Sequence, residues 1–191
     1  MLTVILTGGS SRRMGRDKAL LSYADGTLLQ CLIDRYALGG PVGVSVDRAG
    51  RFPFTGAMEL TDVFPGAGPM NGVVSGFRET AERDMLLTAV DLPYGDWALA
   101  LRLRELMGGA DACLVRRGVK GIEPLFAVYS RACLPAAEQC LREGRKSLRA
   151  LLDAVRVRYV SPEELPEFDL ERIFTNVNTP EEYAALTEKL P

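Results

Sequence analysis

Residues Leu6 to Lys18 read Leu-Thr-Gly-Gly-Ser-Ser-Arg-Arg-Met-Gly-Arg-Asp-Lys, the densest collection of potentially reactive types in the chain. Gly8, Gly9 and Gly15 let backbone amides approach a ligand closely, while Arg12, Arg13 and Lys18 can neutralise phosphate charge. Any one of these residues would suit a solvated turn. Paired glycines, paired arginines and a lysine within one loop predict a phosphate site instead. A Walker loop is excluded, since Gly15 is followed by Arg16-Asp17-Lys18 and not by Lys-Ser/Thr. The dinucleotide fingerprint is also missing; Gly66-Ala-Gly68 comes closest, with Asn71 where the third glycine should stand.

Three further positions carry polar groups with no obvious packing role. Asp91 follows the apolar run Met85–Val90 and precedes Pro93, so it could merely cap a turn. Beside a basic phosphate loop, however, a carboxylate can hold Mg²⁺ together with substrate phosphates. Asp62, after a neighbouring predicted strand, has the same two uses. In Phe174-Thr-Asn-Val-Asn-Thr-Pro-Glu-Glu182, the run Thr179 to Glu182 is a helix start, with Thr at the cap, Pro first and acids in the first turn. Asn176 and Asn178 are left over. Flanking Val177 in an extended segment, they project to one side, where they could bind a ligand or the metal. Arg142, Arg145, Lys146 and Arg149, around Gly144, form a cationic cluster that is a weaker candidate for the acceptor.

These residues need a scaffold, and the hydrophobic pattern supplies one. Leu2–Thr7, Val42–Val46, Met58–Thr61, Met85–Val90, Ala112–Val115, Pro124–Tyr129 and Arg156–Val160 read as strands. Helical spacing appears at Leu28–Leu38, through Val74–Arg78, and at Trp97–Met107, Leu134–Leu141 and Leu148–Leu152, with a last helix from Pro180. Asp25-Gly26 marks a tight turn. Alternating strands and helices predict a three-layer, Rossmann-like α/β fold with a mostly parallel central sheet, in one domain over residues 1–191. Ligands bind such sheets beyond the carboxyl ends of the strands. Thr7–Lys18, Asp62–Gly72 and Asp91 all fall there, so they are expected to share one cleft.

Composition narrows the chemistry. Of 191 residues, 23 are Lys or Arg and 25 Asp or Glu, and a net charge of −2 gives no case for nucleic-acid binding. Histidine is absent, which removes Ser–His and Cys–His nucleophiles, His general bases and His-ligated zinc. Cys31, Cys113, Cys133 and Cys140 show no zinc spacing and read as reduced thiols. The apolar run Leu2–Leu6 is too short for a signal peptide, and no stretch is long enough to span a membrane. A cytoplasmic protein acting on a small anionic molecule is expected.

With those residues in view, the chain resembles the molybdenum cofactor guanylyltransferases of the nucleotidyltransferase superfamily. Their opening is similar to LAGG-x-S-x-RMG-x-DK, here Leu6 to Lys18; Gly68–Gly72 matches Gly-Pro-x-x-Gly, Asp91-Leu92-Pro93 matches Asp-x-Pro, and Asn176–Glu181 matches Asn-x-Asn-Thr-Pro-Glu. The resemblance runs from residue 2 to about residue 186 and is weak between Gly95 and Arg172. It implies transfer of GMP from GTP to the terminal phosphate of molybdopterin, with Mg²⁺ as cofactor and molybdoenzymes or their chaperones as further partners. By motif match, Leu6, Thr7, Gly8 and Gly9 would hold the guanine, Lys18 the phosphates, Asp62 the nucleoside and Asp91 the Mg²⁺, with Arg13 sharing in charge stabilisation. Ser45 stands where the family often has a nucleotide-contacting Asn. Thr7 replaces the usual Ala, adding a hydroxyl near the base. Gly rather than Ala at position 8 favours GTP over CTP. The rival readings are a cytidylyltransferase or sugar-phosphate nucleotidyltransferase, and a catalytically silent nucleotide-binding or cofactor-binding protein.

Overall fold

The computed structural model describes residues 1–8, 17–118 and 121–187. Strand β1 (Leu2–Leu6) is followed by a two-stranded ribbon, β2 (Ser22–Tyr23) with β3 (Gly26–Thr27), and by helix α1 (Leu28–Ala37). Next come β4 (Val42–Val46), β5 (Met58–Thr61), α2 (Met70–Glu79), β6 (Asp84–Ala89) and α3 (Trp97–Leu106). Strands β7 (Ala112–Arg117) and β8 (Gly121–Ser130) lead to α4 (Leu134–Arg142), α5 (Leu148–Leu152), β9 (Val157–Val160), α6 (Leu170–Ile173) and α7 (Pro180–Thr187).

Seven strands form one sheet in the order β5-β4-β1-β6-β8-β7-β9. Only β8 runs against its neighbours. Every residue of β1 and β6 is buried, because a parallel sheet is covered on both faces and its strands become continuous apolar runs. Ile5, Val44 and Leu86 point to the face covered by α1 and α3, with Leu170, Ile173 and Leu186 of α6 and α7 in the same cluster. Val4, Leu6 and Leu87 point to the other face, under α2, α4 and α5. Close approach of α2 needs its glycines: a Cβ on Gly76 would lie 2.9 Å from Val4 and 2.8 Å from Met85.

The mostly parallel three-layer sheet agrees with the sequence reading, and the expected elements shift by only a few residues at their ends. Three features were not anticipated: the short ribbon, α6, and the reversed direction of β8. The ribbon is too brief to show alternation, although its turn at Asp25-Gly26 is where the sequence put one.

From β1 the chain goes through α1 to β4 on one side, then through α2 to β6 on the other. This reversal makes a switch point between β1 and β6, where α/β sheets open a crevice for ligands. The connection after β6 is held down by α1. Arg35 Nη1 donates to the carbonyls of Pro93 at 2.5 Å and Gly95 at 3.2 Å. Gly95 lies so close to Tyr36 that a Cβ would sit 2.2 Å from the phenol oxygen and 3.0 Å from Phe126, both rings being fully buried. Gly95→Ala is therefore expected to destabilise the fold by about 1–3 kcal/mol, the usual cost of overpacking. Thermal unfolding measures it; an unchanged Tm would mean the connection does not rest on Tyr36.

Candidate functional site

Pairing of β1 with β6 aligns Leu6 with Ala89, and the Val90 amide donates to the Leu6 carbonyl at 3.0 Å. The backbone beyond each strand, Thr7-Gly8 and Val90-Asp91, is thereby set side by side. Together with Lys18, Asn178, Pro69 and Leu125 these residues line a cleft of about 230 Å³. Gly8 is exposed there, and a Cβ added to it would meet nothing within 4 Å among the described residues.

Lys18 opens a single helical turn, Lys18–Leu20. Asp17 caps that turn, its Oδ1 accepting from the Ala19 amide at 3.1 Å, while its other oxygen pairs with Arg51 at 2.7 Å. The Lys18 ammonium donates to Asn178 Oδ1 at 2.8 Å. Asn178 is presented by a segment fixed on both sides. The Val177 amide donates to the Asp91 carbonyl at 2.9 Å, and Glu182 accepts from the amides of Asn178 at 2.6 Å and Thr179 at 3.0 Å. Thr179 Oγ1 accepts in turn from the Glu182 amide at 3.2 Å, closing a capping box at α7.

Asp91 is half-buried, and its Oδ1 has no hydrogen-bond partner among the described residues. Burial raises its pKa above the ordinary carboxylate value; the nearby Lys18 charge works in the opposite direction. A buried carboxylate oxygen with no donor beside it among the described residues suits a cation. No cluster of three or more His, Cys, Asp or Glu side chains suited to a metal occurs among the described residues. Zinc-type chelation is thus not offered, whereas Mg²⁺ takes one or two carboxylates and completes its shell with water and substrate phosphate. The orphaned Asp91 oxygen fits that second mode.

The other predicted residues are distributed unevenly. Leu6, Thr7, Gly8, Lys18, Asp91 and Asn178 share the cleft. Gly9, Arg12 and Arg13 lie outside the described residues. Thr7 does not offer its hydroxyl to a base: Oγ1 donates to the Ser45 carbonyl at 2.7 Å, tying β1 to β4 beneath the site. Ser45 is itself buried and does not line the cleft. Asp62 also stands apart, beyond β5, which lies two strands from β1 and so about 10 Å away at the usual strand spacing. Burial chiefly raises the pKa of Asp62, as does the neighbouring Asp47, against the hydrogen-bonding influence of Asn71 and Ser45.

Asn176 and Asn178 were expected on one side of their segment, and the structure separates them. Buried Val177 turns between them, so that Asn178 faces the cleft while Asn176 lines a separate groove with Tyr23, Tyr94 and Arg172. In the cationic cluster near Gly144, two of the four side chains, Arg142 and Arg145, are paired with carboxylates. Arg145 pairs with Glu143 at 2.6 Å and Arg142 with Glu138 at 3.5 Å, leaving Lys146 to donate to the Gly66 carbonyl at 3.2 Å. Sequence reasoning missed Leu125, whose apolar type gave no signal. It also missed the purpose of Asn71: fully buried, its side-chain amide both accepts from and donates to the Phe64 backbone, at 3.0 and 2.5 Å, anchoring the loop that reaches Pro69.

Lys18 and an Asp91 oxygen without a partner among the described residues thus face one cleft at the switch point of a mostly parallel α/β sheet, where such sheets take their ligands. Comparison with known proteins sharpens this. Residues 3–159 match the family model described as a MobA-like NTP transferase domain. A probable molybdenum cofactor guanylyltransferase of Pelotomaculum thermopropionicum is 35% identical over 93% of this chain and 87% of its own length. Another from Methanosarcina mazei is 32% identical over 94% of this chain and 86% of its own. The solved structure of molybdopterin-guanine dinucleotide biosynthesis protein A from Archaeoglobus fulgidus shares the fold, with a TM-score of 0.85 at 22% identity over 98% of this chain and 97% of that one. The chain belongs to the MobA-like NTP transferase family. No helix among the described residues is long and apolar enough to cross a membrane.

The environment of Asp91 yields a stability test. Because burial raises its pKa, the folded chain holds this proton more tightly than the unfolded one. The stability so gained is full below about pH 4 and is lost as pH rises through the folded value. Asp91→Asn should therefore melt above the parent at pH 7, with the gap closing towards acid pH, while losing the rise in Tm that Mg-nucleotide gives the parent. A variant that melts no higher at pH 7, and still gains from Mg-nucleotide, would make Asp91 an ordinary turn residue.

Proposed function

We propose that this protein transfers GMP from GTP to the terminal phosphate of the molybdopterin cofactor, with release of pyrophosphate. The observation that carries the proposal is the meeting, in one cleft between β1 and β6, of Lys18 with an Asp91 oxygen that has no partner among the described residues. The relatives named as guanylyltransferases support the choice of nucleotide and acceptor.

The chemistry suits a site without histidine. A phosphate-monoester acceptor has a second pKa of about 6, so its attacking oxygen is already ionised at neutral pH and no general base is required. That oxygen forms a bond to the α-phosphorus of GTP as the bond to the β-phosphate breaks, and the electron pair leaves with pyrophosphate. What the protein must supply is alignment and charge stabilisation. Lys18 meets the triphosphate charge. Asp91 would hold Mg²⁺, which when bound draws phosphate oxygens together and offsets their negative charge. Arg13 would add a second positive group. Asp62, beyond β5, and the buried Ser45 lie away from this cleft and are given no part in it. Asn176, on its separate groove, is kept for the acceptor side.

Backbone groups after Leu6 would read the guanine edge, with Gly8 and Gly9 letting the main chain pass near the ring. Guanine presents donors at N1 and its 2-amino group and an acceptor at O6, none of which adenine reproduces. Each buried partner left unsatisfied costs about 1–3 kcal/mol, so two give discrimination of roughly a hundredfold. Titration with the four Mg-nucleotides should show that preference for GTP over ATP, CTP and UTP. Gly8→Ala should keep the parent Tm, since its Cβ would enter open space, and should erode the preference. CTP binding as tightly as GTP would favour a cytidylyltransferase, and failure to bind any nucleotide would remove the nucleotidyltransferase reading altogether.

A further inference from the structure

The contact between Lys18 and Asn178 joins residues 160 positions apart and brings the far end of the chain to the phosphate lysine. Since Lys donates only, the amide oxygen of Asn178 must face it, and the orientation of the side chain is fixed chemically. The tie leaves the Lys18 ammonium in the same cleft as Asp91, yet Oδ1 of Asp91 remains without a hydrogen-bond partner among the described residues. Two opposite charges thus share a desolvated cleft without forming an ion pair within 4 Å. A neutral amide has taken the place of the carboxylate as the lysine's partner.

That arrangement has a use. If Lys18 closed onto Asp91, the pair would neutralise itself, and both the group that meets phosphate and the group that would hold a cation would be spent on each other. An amide partner holds the ammonium in place without cancelling its charge. It also removes much of the rotamer freedom that a four-carbon side chain must lose on gripping a phosphate. The bonds from Val177 to Asp91 and from Asn178 and Thr179 to Glu182 make the segment bearing the amide stiff enough to act this way.

We infer that Asn178 is a positioning residue of the nucleotide side, holding the Lys18 ammonium out of an ion pair with Asp91, and that it is not an acceptor contact. This rests on the nucleotidyltransferase reading above. The test is the affinity for Mg-GTP, measured by calorimetry without acceptor, in the parent, Asn178→Ala, Lys18→Met and the double variant. Asn178→Ala should weaken Mg-GTP binding by roughly tenfold, the effect of losing a hydrogen bond to a charged group. In the Lys18→Met background the same change should have an effect within about twofold, because its action runs through the lysine. Asn178→Asp, which keeps size and an acceptor oxygen, should bind more weakly still than Asn178→Ala, since its carboxylate captures the ammonium and repels phosphate; a merely structural side chain would be rescued by this near-isostere. Unchanged Mg-GTP affinity in Asn178→Ala with a raised acceptor KM would overturn the assignment and return Asn178 to the acceptor. Independent effects of the two substitutions, or rescue by Asp, would overturn it as well. A parent protein that binds no Mg-GTP would instead overturn the nucleotidyltransferase reading, and this inference with it.

Discussion

The parallel register of β1 against β6 sets every other feature of the site. Leu6 opposite Ala89, continued by the bond from Val90 to Leu6, forces the glycine backbone at Gly8 and the carboxylate at Asp91 to emerge as neighbours. Neither strand could slip without turning its buried side chains onto the wrong face, because both are enclosed by helices. The placing of Gly8 beside Asp91 is therefore secured by core packing. Among the described residues this leaves one Asp91 oxygen without a partner and nothing within 4 Å of where a Cβ on Gly8 would lie.

Holding a carboxylate in that state costs stability, and the surrounding elements bear the load. α1 pins the connection after β6 through Arg35 and packs Tyr36 beneath Gly95, and the segment at Val177 binds the Asp91 backbone from the other side. Each contact acts on the main chain, so the loop is tied down without any of them engaging Asp91 Oδ1. The same division appears on the opposite wall, where Asp17 caps the turn carrying Lys18 and is itself held by Arg51. Such a scaffold suits a reaction that depends on alignment and charge stabilisation, with no proton to be removed.

Much of this was legible in the sequence because buried parallel strands leave apolar runs and the polar residues at their ends stand out. Met85–Val90 followed by Asp91, and Leu2–Leu6 followed by glycines, put both segments at strand ends on one cleft, while the switch point between β1 and β6 depends on a strand order that the sequence does not show. What stayed hidden depended on pairing across long separations. The hydroxyl of Thr7 looked available for a base and is instead consumed by the Ser45 carbonyl, a partner 38 residues away. Asn176 and Asn178 looked like a matched pair, because period-two reasoning assumes a flat extended strand, while burial of Val177 and the contact with Asp91 give the two side chains different surroundings. Leu125 could not have been singled out among many leucines. The reversal of β8 follows from its short connection to β7, a connection that seemed longer while the strand ends were read only from their apolar centres.

A sheet, a lysine and a carboxylate would serve several kinds of phosphate chemistry, so the decisive question is which phosphorus is attacked. GTP labelled at the α-phosphate and GTP labelled at the γ-phosphate, each incubated with the protein, Mg²⁺ and molybdopterin, separate the possibilities. Nucleotidyl transfer predicts that the α label enters the acceptor while the γ label leaves entirely as pyrophosphate. Appearance of the γ label in the acceptor, or of neither label, would contradict the account.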